Sequence, residues 1–203
     1  MTESAERRAN ARKRVGVLAL QGDFDAHARA ITLAGGEAVE VRTAEGLRTV
    51  DGLVIPGGES TTMLKLLNMM NLLEPLSEFA RTKPVFGTCA GAILLATEVL
   101  NPSQESLGAM DLTVERNAYG RQIDSRVANI SPGSDFQKRA GKGDVEAVFI
   151  RAPIIRRTGP DVKVLAEYDG DPVLVEQGRH LVATFHPELT PDARVHKLFL
   201  SKI

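Results

Sequence analysis

Short apolar runs alternate with helix-like segments along the first half of the chain. Most of these runs end at glycine or proline, which is typical of buried strands, and the longer segments carry apolar residues at helical spacing. The pattern predicts strands at 15–20, 38–41, 52–55 and 84–87 and helices at 25–34, 60–71, 76–81 and 90–100. In the helix at 60–71, one face carries Met63, Leu66, Leu67 and Met70, and Ser60 or Thr61 is suited to cap its start.

The second half of the chain is mostly extended. The pattern predicts strands at 112–115, 145–150, 162–168, 173–176 and 180–185 and a closing helix at 191–203. Alternating strands and helices followed by consecutive strands indicate an α/β fold with three layers, in which a mostly parallel sheet carries helices on both faces and an antiparallel extension. We expect a mobile polar tail at 1–14 and a single domain at 15–203.

The composition of the chain argues against some classes of partner. The chain has 203 residues, a net charge of −1 and 4% aromatic residues, so neither charge nor stacking surface points to a nucleic acid or an anionic membrane. Its longest apolar stretch, 90–96, is too short to span a bilayer. The single cysteine and the absence of a secretory pattern near the start favour a reducing cytoplasm.

The single cysteine lies where a nucleophile could lie. Cys89 stands in the string GTCAG, between a predicted strand and a predicted helix, with Gly87 and Gly91 on either side. Flanking glycines permit a sharp turn, the positive end of the following helix stabilises a thiolate, and the amide of Ala90 could serve an oxyanion. A buried, inert cysteine is about equally common, so this motif alone leaves both interpretations open.

A histidine and a carboxylate follow the last predicted strand. In an extended chain the side chains of His186 and Glu188 would lie on one side, and Pro187 would help to hold that relation. His186 could then accept the proton of Cys89 while Glu188 orients the imidazole. A His-x-Glu pair is by itself more often only a loop, but the carboxyl ends of parallel strands meet at one sheet edge.

A third loop, PGGES at 56–60, follows another predicted strand. Its paired glycines could bring a second oxyanion amide, that of Gly58, toward the site. A capped tight turn is the simpler alternative, and the chain has no lysine at the spacing of a phosphate-binding loop.

Together these strings resemble the class I glutamine amidotransferases. LALQGDFDAH, VDGLVIPGGESTTM, VERNAYGRQIDS, VFIRAP and FHPELT further resemble the family of glutaminase subunits of pyridoxal 5′-phosphate synthase, over 15–203. The resemblance implies a flavodoxin-like fold with Cys89 as nucleophile, His186 as base and Glu188 as its partner. It also implies contacts with L-glutamine from Gly58, Glu59, Ser60, Arg116, Ile150 and Arg151. A guanidinium suits an α-carboxylate, although without the resemblance Arg116 and Arg151 would be read as surface ion pairs.

The resemblance also implies a partner. Ammonia released by so small a chain needs an acceptor, and in this family the acceptor is a synthase subunit that forms a dodecameric core, activates the glutaminase on docking and makes pyridoxal 5′-phosphate. Docking could act by turning the Gly57–Gly58 peptide toward the oxyanion. We expect no cofactor and no metal site, because the four histidines are scattered. A glutaminase of another pathway, a catalytically silent regulatory module and, less favoured, a redox or chaperone-like protein remain alternatives.

Overall fold

The computed structural model describes residues 12–117 and 125–203. The strands within these residues are β1 Arg14–Leu18, β2 Glu37–Val41, β3 Gly52–Ile55, β4 Val85–Thr88, β5 Ala96–Leu100, β6 Met110–Glu115, β7 Ser125–Ile130, β8 Val145–Ile150, β9 Ile154–Thr158, β10 Lys163–Tyr168, β11 Asp171–Gln177 and β12 His180–Ala183. The helices are α1 Phe24–Leu33, α2 Ala44–Arg48, α3 Ser60–Met69, α4 Leu73–Thr82, α5 Ala90–Leu95, α6 Ser134–Ala140, α7 Arg194–Leu200 and a 3₁₀ turn at Pro187–Leu189.

The main sheet has the strand order β10-β11-β12-β4-β3-β1-β2. Strands β2, β1, β3, β4 and β12 run parallel, whereas β11 and β10 continue the sheet antiparallel beyond β12. This arrangement confirms the predicted α/β fold with a mostly parallel sheet and an antiparallel extension. Because β3, β4 and β12 are neighbours, the loops that leave their carboxyl ends meet at one edge.

The central strands are buried on both faces, which explains their nearly continuous apolar sequences. Leu53 and Ile55 of β3 pack into one core cluster with residues of α3 and α4, whereas Val54 packs into a second cluster with residues of α1 and α7. The helices therefore cover both faces of the sheet. No helix within 12–117 and 125–203 combines the length and the apolar character needed to cross a membrane.

Two smaller sheets lie beside the main one: β5-β6-β9 and the antiparallel pair β7-β8. One strand of the first of these sheets was predicted wrongly. The helix predicted at 90–100 ends at Leu95, and the second half of that segment is strand β5. Ala96 is extended, with φ −65° and ψ 152°, and the segment then pairs in parallel with β6. The β-branched Thr97 and Val99 favour the strand over a longer helix.

The hydrophobic pattern did not predict four further elements: α2, β7, α6 and β9. Strand β7 is largely solvent-facing on alternate residues and exists through its pairing with β8, so it carries little apolar signal of its own. The predicted cap of α3 was also wrong, since Glu59 rather than Ser60 or Thr61 is the N-cap. Its carboxylate accepts hydrogen bonds from the backbone N–H groups of Thr61 and Thr62.

The predicted tail at 1–14 is too long by at least one residue. Arg14 begins β1, and its Nε atom donates to Glu37 on β2 at 3.2 Å. Residues 1–11 lie outside the described part of the chain, so their mobility stays a prediction, as does the assignment of 15–203 to one domain.

Candidate active site

Cys89 occupies a strained turn between β4 and α5. Its backbone has φ +48° and ψ −101°, in the left-handed region that residues other than glycine rarely adopt, and its N–H donates to the carbonyl of Ala183 on β12 at 3.0 Å. A β-carbon at Gly87 would come within 2.5 Å of the carbonyl oxygen of Gly91, and one at Gly91 within 2.2 Å of that of Ile55. Both flanking glycines are thus required by close backbone contact, as the elbow interpretation predicts.

His186 and Glu188 are paired, although their backbone differs from the prediction. The expected extended conformation is wrong, because Pro187–Leu189 forms a 3₁₀ turn. The two side chains nevertheless meet, with His186 Nδ1 at 2.7 Å from Glu188 Oε1. The backbone N–H of His186 donates to the carbonyl of Val148 at 2.8 Å, which ties this turn to β8. The pair is therefore held by a tight turn rather than by strand geometry.

The contacts around this pair shift the pKa values of both His186 and Glu188. Burial lowers the pKa of His186, but hydrogen bonds with Cys89 and Glu188 outweigh it and raise the pKa to about 10. Burial raises the pKa of Glu188, but the contact with His27 and the hydrogen bond with His186 hold it far below its ordinary value. An imidazolium at His186 beside an ionised Glu188 is the charge state that this geometry favours.

The glycine loop after β3 lies directly against the cysteine and the histidine. A β-carbon at Gly57 would lie 2.4 Å from His186 Cε1 and 3.3 Å from Cys89 Cβ, so a larger residue there would displace the imidazole. Gly58 has φ +136°, a conformation that favours glycine. The Nε2 atom of Gln21 donates to the carbonyl of Glu59 at 2.6 Å and anchors this loop to the segment after β1.

A small cavity of about 90 Å³ opens beside Cys89. It is lined by all six residues that the resemblance assigns to glutamine binding, namely Gly58, Glu59, Ser60, Arg116, Ile150 and Arg151, and also by Cys89, Ile93, Asn117 and Pro153. Larger grooves of about 580 and 590 Å³ occur elsewhere on the surface but contain none of these residues. The structure thus brings together residues from four separate segments of the chain around the sulfur atom.

The cavity rim is charged and partly open to solvent. Arg116 Nη2 lies 3.2 Å from Glu59 Oε1 and donates to Thr61 Oγ1 at 2.9 Å, so this arginine is both a cavity residue and an ion-pair partner. Burial raises the pKa of Glu59, but several hydrogen bonds from Thr62 and Thr61 together outweigh it and lower the pKa to about 2. The hydroxyl of Ser60 donates to Gln104 Oε1 at 2.9 Å.

The opposite wall of the cavity is formed by the segment after β8. Arg151 has φ +45°, a left-handed conformation unusual for arginine, and the preceding carbonyl of Ile150 lies 4.0 Å from Cys89 Sγ. Ala90, the first residue of α5, is fully buried next to the cysteine, and its N–H has no acceptor within the helix because the first turn lacks one. The roles of Gly58 and Ala90 as oxyanion donors stay predictions.

Sequence reasoning missed the residues behind Glu188. The expectation that the histidines are scattered is wrong in space, because His27 on α1 and His196 on α7 are both fully buried and hydrogen-bonded to each other beside Glu188. The described residues nevertheless contain no group of three or more His, Cys, Asp or Glu side chains arranged to hold a metal ion. Neither histidine stands in a local motif whose spacing could have revealed this contact.

Comparison with known proteins agrees with the geometry. A family model, the SNO glutamine amidotransferase family, matches residues 17–203. The chain is 64% identical over 191 residues to "Pyridoxal 5′-phosphate synthase subunit PdxT" from Solibacter usitatus (strain Ellin6076), covering 94% of this chain and 100% of that relative. It is 49% identical to the protein of the same name from Thermotoga maritima, covering 94% of this chain and 99% of the relative.

Solved structures show the same fold. A protein described as "Crystal structure of glutamine amidotransferase" is 45% identical and superposes with a TM-score of 0.83, covering 93% of this chain and 97% of that one. "Structure of PurLQS from Thermotoga maritima", at 17% identity and a TM-score of 0.68, covers 94% of this chain and 99% of that one and shares the fold alone. With the family model and these relatives in agreement, the chain belongs to the SNO glutamine amidotransferase family.

Proposed function

We propose that this protein hydrolyses L-glutamine to L-glutamate and ammonia and supplies the ammonia to a pyridoxal 5′-phosphate synthase subunit. The observation that carries the proposal is the convergence of Cys89, the His186–Glu188 pair and an arginine-bearing cavity at one sheet edge. Relatives that share 47–64% of their residues with this chain bear the name of the PdxT subunit of that synthase.

The chemistry begins with the sulfur. The Cys89 thiolate attacks the carbonyl carbon of the glutamine side-chain amide, and the negative charge moves to the amide oxygen, where the N–H groups of Gly58 and Ala90 would stabilise it. The proton held by the His186 imidazolium passes to the amide nitrogen, and ammonia leaves as the carbon–sulfur thioester remains. His186 then removes a proton from water, which attacks the thioester and releases glutamate and the thiolate.

The rim of the cavity would hold the amino-acid end of glutamine. Arg116 offers a planar pair of donors suited to the α-carboxylate, and Glu59 offers a negative charge to the α-ammonium group. Ser60, Ile150 and Arg151 complete the cavity wall. Because Arg116 and Glu59 are paired with each other, glutamine would replace one ion pair with two.

The ammonia acceptor in this proposal is a separate synthase subunit with a dodecameric core. The relatives' name describes a subunit, which supports a division of labour between two chains. The reaction is assigned to the cytoplasm, where a reducing environment keeps the single cysteine as a thiol. Docking that turns the Gly57–Gly58 peptide would couple ammonia release to the presence of the acceptor.

The test is glutamate release from L-glutamine by the full chain, alone and then with the synthase subunit added. We expect release to appear or to rise sharply when the synthase is present. Release that is unaffected by the synthase would reject this partner and favour a glutaminase of another pathway. No release in either case, with Cys89 verified as reduced, would favour a catalytically silent regulatory module.

A further inference from the structure

A second layer of polar side chains lies behind the carboxylate of Glu188. Three of these residues are fully buried: His27 of α1, Thr88 of β4 and His196 of α7. Phe86 packs edge-on against both imidazoles, with ring centroids 6.3 Å from His27 and 5.6 Å from His196. Buried polar groups are costly unless they are hydrogen-bonded, so a cluster of this kind requires a reason.

The distances define a chain of contacts that leads away from the cysteine. Glu188 Oε1 pairs with His186, whereas its second oxygen, Oε2, lies 3.4 Å from His27 Nε2. The same His27 Nε2 is 3.1 Å from Thr88 Oγ1, and His27 Nδ1 is 3.0 Å from His196 Nε2. Within the described residues, the buried Oε2 atom of Glu188 has no hydrogen-bond partner in the present geometry, and His27 Nε2 at 3.4 Å is the group placed to satisfy it.

One arrangement of protons satisfies this chain. An anionic Glu188 needs a donor at Oε2, which requires a proton on His27 Nε2. His27 Nδ1 must then accept, and the proton between the two rings belongs to His196 Nε2. His196 Nδ1 has no polar partner among the described residues. This arrangement leaves that atom as a bare acceptor, whereas the opposite one would bury an unpaired N–H.

The charges around the cluster agree with this arrangement. Burial lowers the pKa of His196 to about 3, so this ring stays neutral and can carry its single proton on Nε2. The ionisable groups that face the two rings within the described residues are Glu188 and His186 on one side and Asp192, which is bound by Arg194, on the other. The carboxylate that the mechanism uses is therefore the anion nearest to His27.

We infer that His27 is a positioning residue of the glutaminase: through its Nε2–H it holds the second oxygen of Glu188, and His196 selects the tautomer of His27 that can do so. The inference rests on the proposed function, since it extends the triad that carries out the hydrolysis. By holding Oε2 of Glu188, His27, supported by His196, leaves Oε1 directed at His186, orients that imidazole toward Cys89 and keeps the carboxylate ionised. The two buried histidines contact neither substrate nor reacting atoms.

The test compares two variants that differ only in where an amide lies. In His27→Gln the side-chain amide reaches the position of Nε2 and can still donate to Glu188, whereas in His27→Asn it reaches only the position of Nδ1. We expect kcat with the synthase present to fall about tenfold to a hundredfold in His27→Asn, the effect of losing a hydrogen bond to a charged group. KM should stay near the wild-type value, and His27→Gln should recover most of the loss.

Two further readouts separate positioning from a general loss of packing. In His27→Asn the acid limb of the pH profile of kcat/KM should move to higher pH, because Glu188 has lost a donor. His180→Gln is the matched control, since it replaces a buried histidine at the opposite end of β12 and should leave the activity unchanged. His196→Leu should resemble His27→Asn, and His196→Gln should be milder.

Alkylation of Cys89 by iodoacetamide keeps this test independent of turnover. The chain has one cysteine, so the modification rate reports that thiolate alone. We expect slower alkylation at neutral pH in His27→Asn than in His27→Gln. Equal kcat and equal alkylation rates in the two variants would overturn the inference. A wild-type chain without glutaminase activity would refute the proposed function, and the alkylation comparison would still decide the role of His27.

Discussion

The two sides of the candidate site are built differently. On the side of the triad, the side chain of Glu188 is 1% exposed and that of His186 is 11% exposed, and both are fixed by contacts with buried residues. On the rim, the Glu59 side chain is 50% exposed and pairs at 3.2 Å with Arg116, whose side chain is 11% exposed. Under the proposed function, we expect the buried side to act as a pre-organised reaction centre and the rim to exchange its ion pair for contacts with substrate.

The difference follows from what each side must do. Charges that act on a reacting atom are worth more where water is excluded, and they need no rearrangement during the reaction. Charges that bind a zwitterion must first be accessible, and exposed ion pairs are weak enough to be replaced. Substitutions on the triad side should therefore change kcat, and those on the rim should change KM.

The largest effect is expected from Cys89→Ala. Without the sulfur no thioester can form, so glutamate release should fall by about a millionfold or below detection, as in other enzymes that lose their nucleophile. Glutamine binding, measured by calorimetry with the synthase present, should persist because the rim is intact. Measurable turnover in this variant would contradict the assignment of the nucleophile.

Glu188→Gln tests the buried carboxylate itself. The amide can occupy the same space but cannot stabilise an imidazolium, so we expect kcat to fall by about 10²- to 10⁴-fold, the range found for removal of an orienting carboxylate. The alkylation rate of Cys89 should fall with it. A change confined to KM would place Glu188 in recognition and remove the distinction between the two sides.

His180 is a buried histidine that has no carboxylate partner among the described residues, and its pH dependence sharpens the comparison. Burial lowers the pKa of His180 to about 4, whereas the unfolded chain titrates near 6.5. The free energy of unfolding that this group contributes is fully present above pH 6.5 and is lost as the pH falls to about 4, by up to about 3 kcal/mol. Urea unfolding between pH 7 and 4 should therefore show a smaller decline in His180→Gln than in wild type.

The contribution of His186 to the free energy of unfolding changes with pH in the opposite direction. Its folded pKa of about 10 means that its contribution is present below pH 6.5 and is lost as the pH rises toward 10. The His180→Gln substitution should leave that alkaline decline unchanged. An equal change on both limbs would show that the substitution perturbs packing rather than titration.

The smallest effect is expected from Arg116→Lys on the rim. Lysine keeps the charge but loses the planar pair of donors, so KM for glutamine should rise about tenfold with little change in kcat. Arg81→Lys is the matched control, because Arg81 forms an exposed ion pair with Glu74 and lines no part of the cavity beside Cys89. A lower kcat with an unchanged KM would move Arg116 to the reaction centre.

Much of the candidate site could be predicted because its motifs are local. GTCAG, PGGES and HPE each follow a strand, and each carries its chemistry within a few consecutive residues, which glycine and proline constrain whatever lies elsewhere in the chain. The α/β fold class and the positions of the candidate nucleophile, its candidate base and the glycine loop were therefore accessible from the order of residues alone.

The tertiary structure decided what depends on distant parts of the chain. His27 and His196 are 169 positions apart, and Arg116 meets Glu59 across 57 positions, so no local pattern encodes either contact. Strand β5 depends on a distant segment too, since its β-branched residues favour an extended backbone but the strand also needs β6 to pair with it. Sequence determined which groups can react, and packing of separate segments at one sheet edge determined which of them meet, because burial and pairing energies depend on neighbours brought together only by the fold.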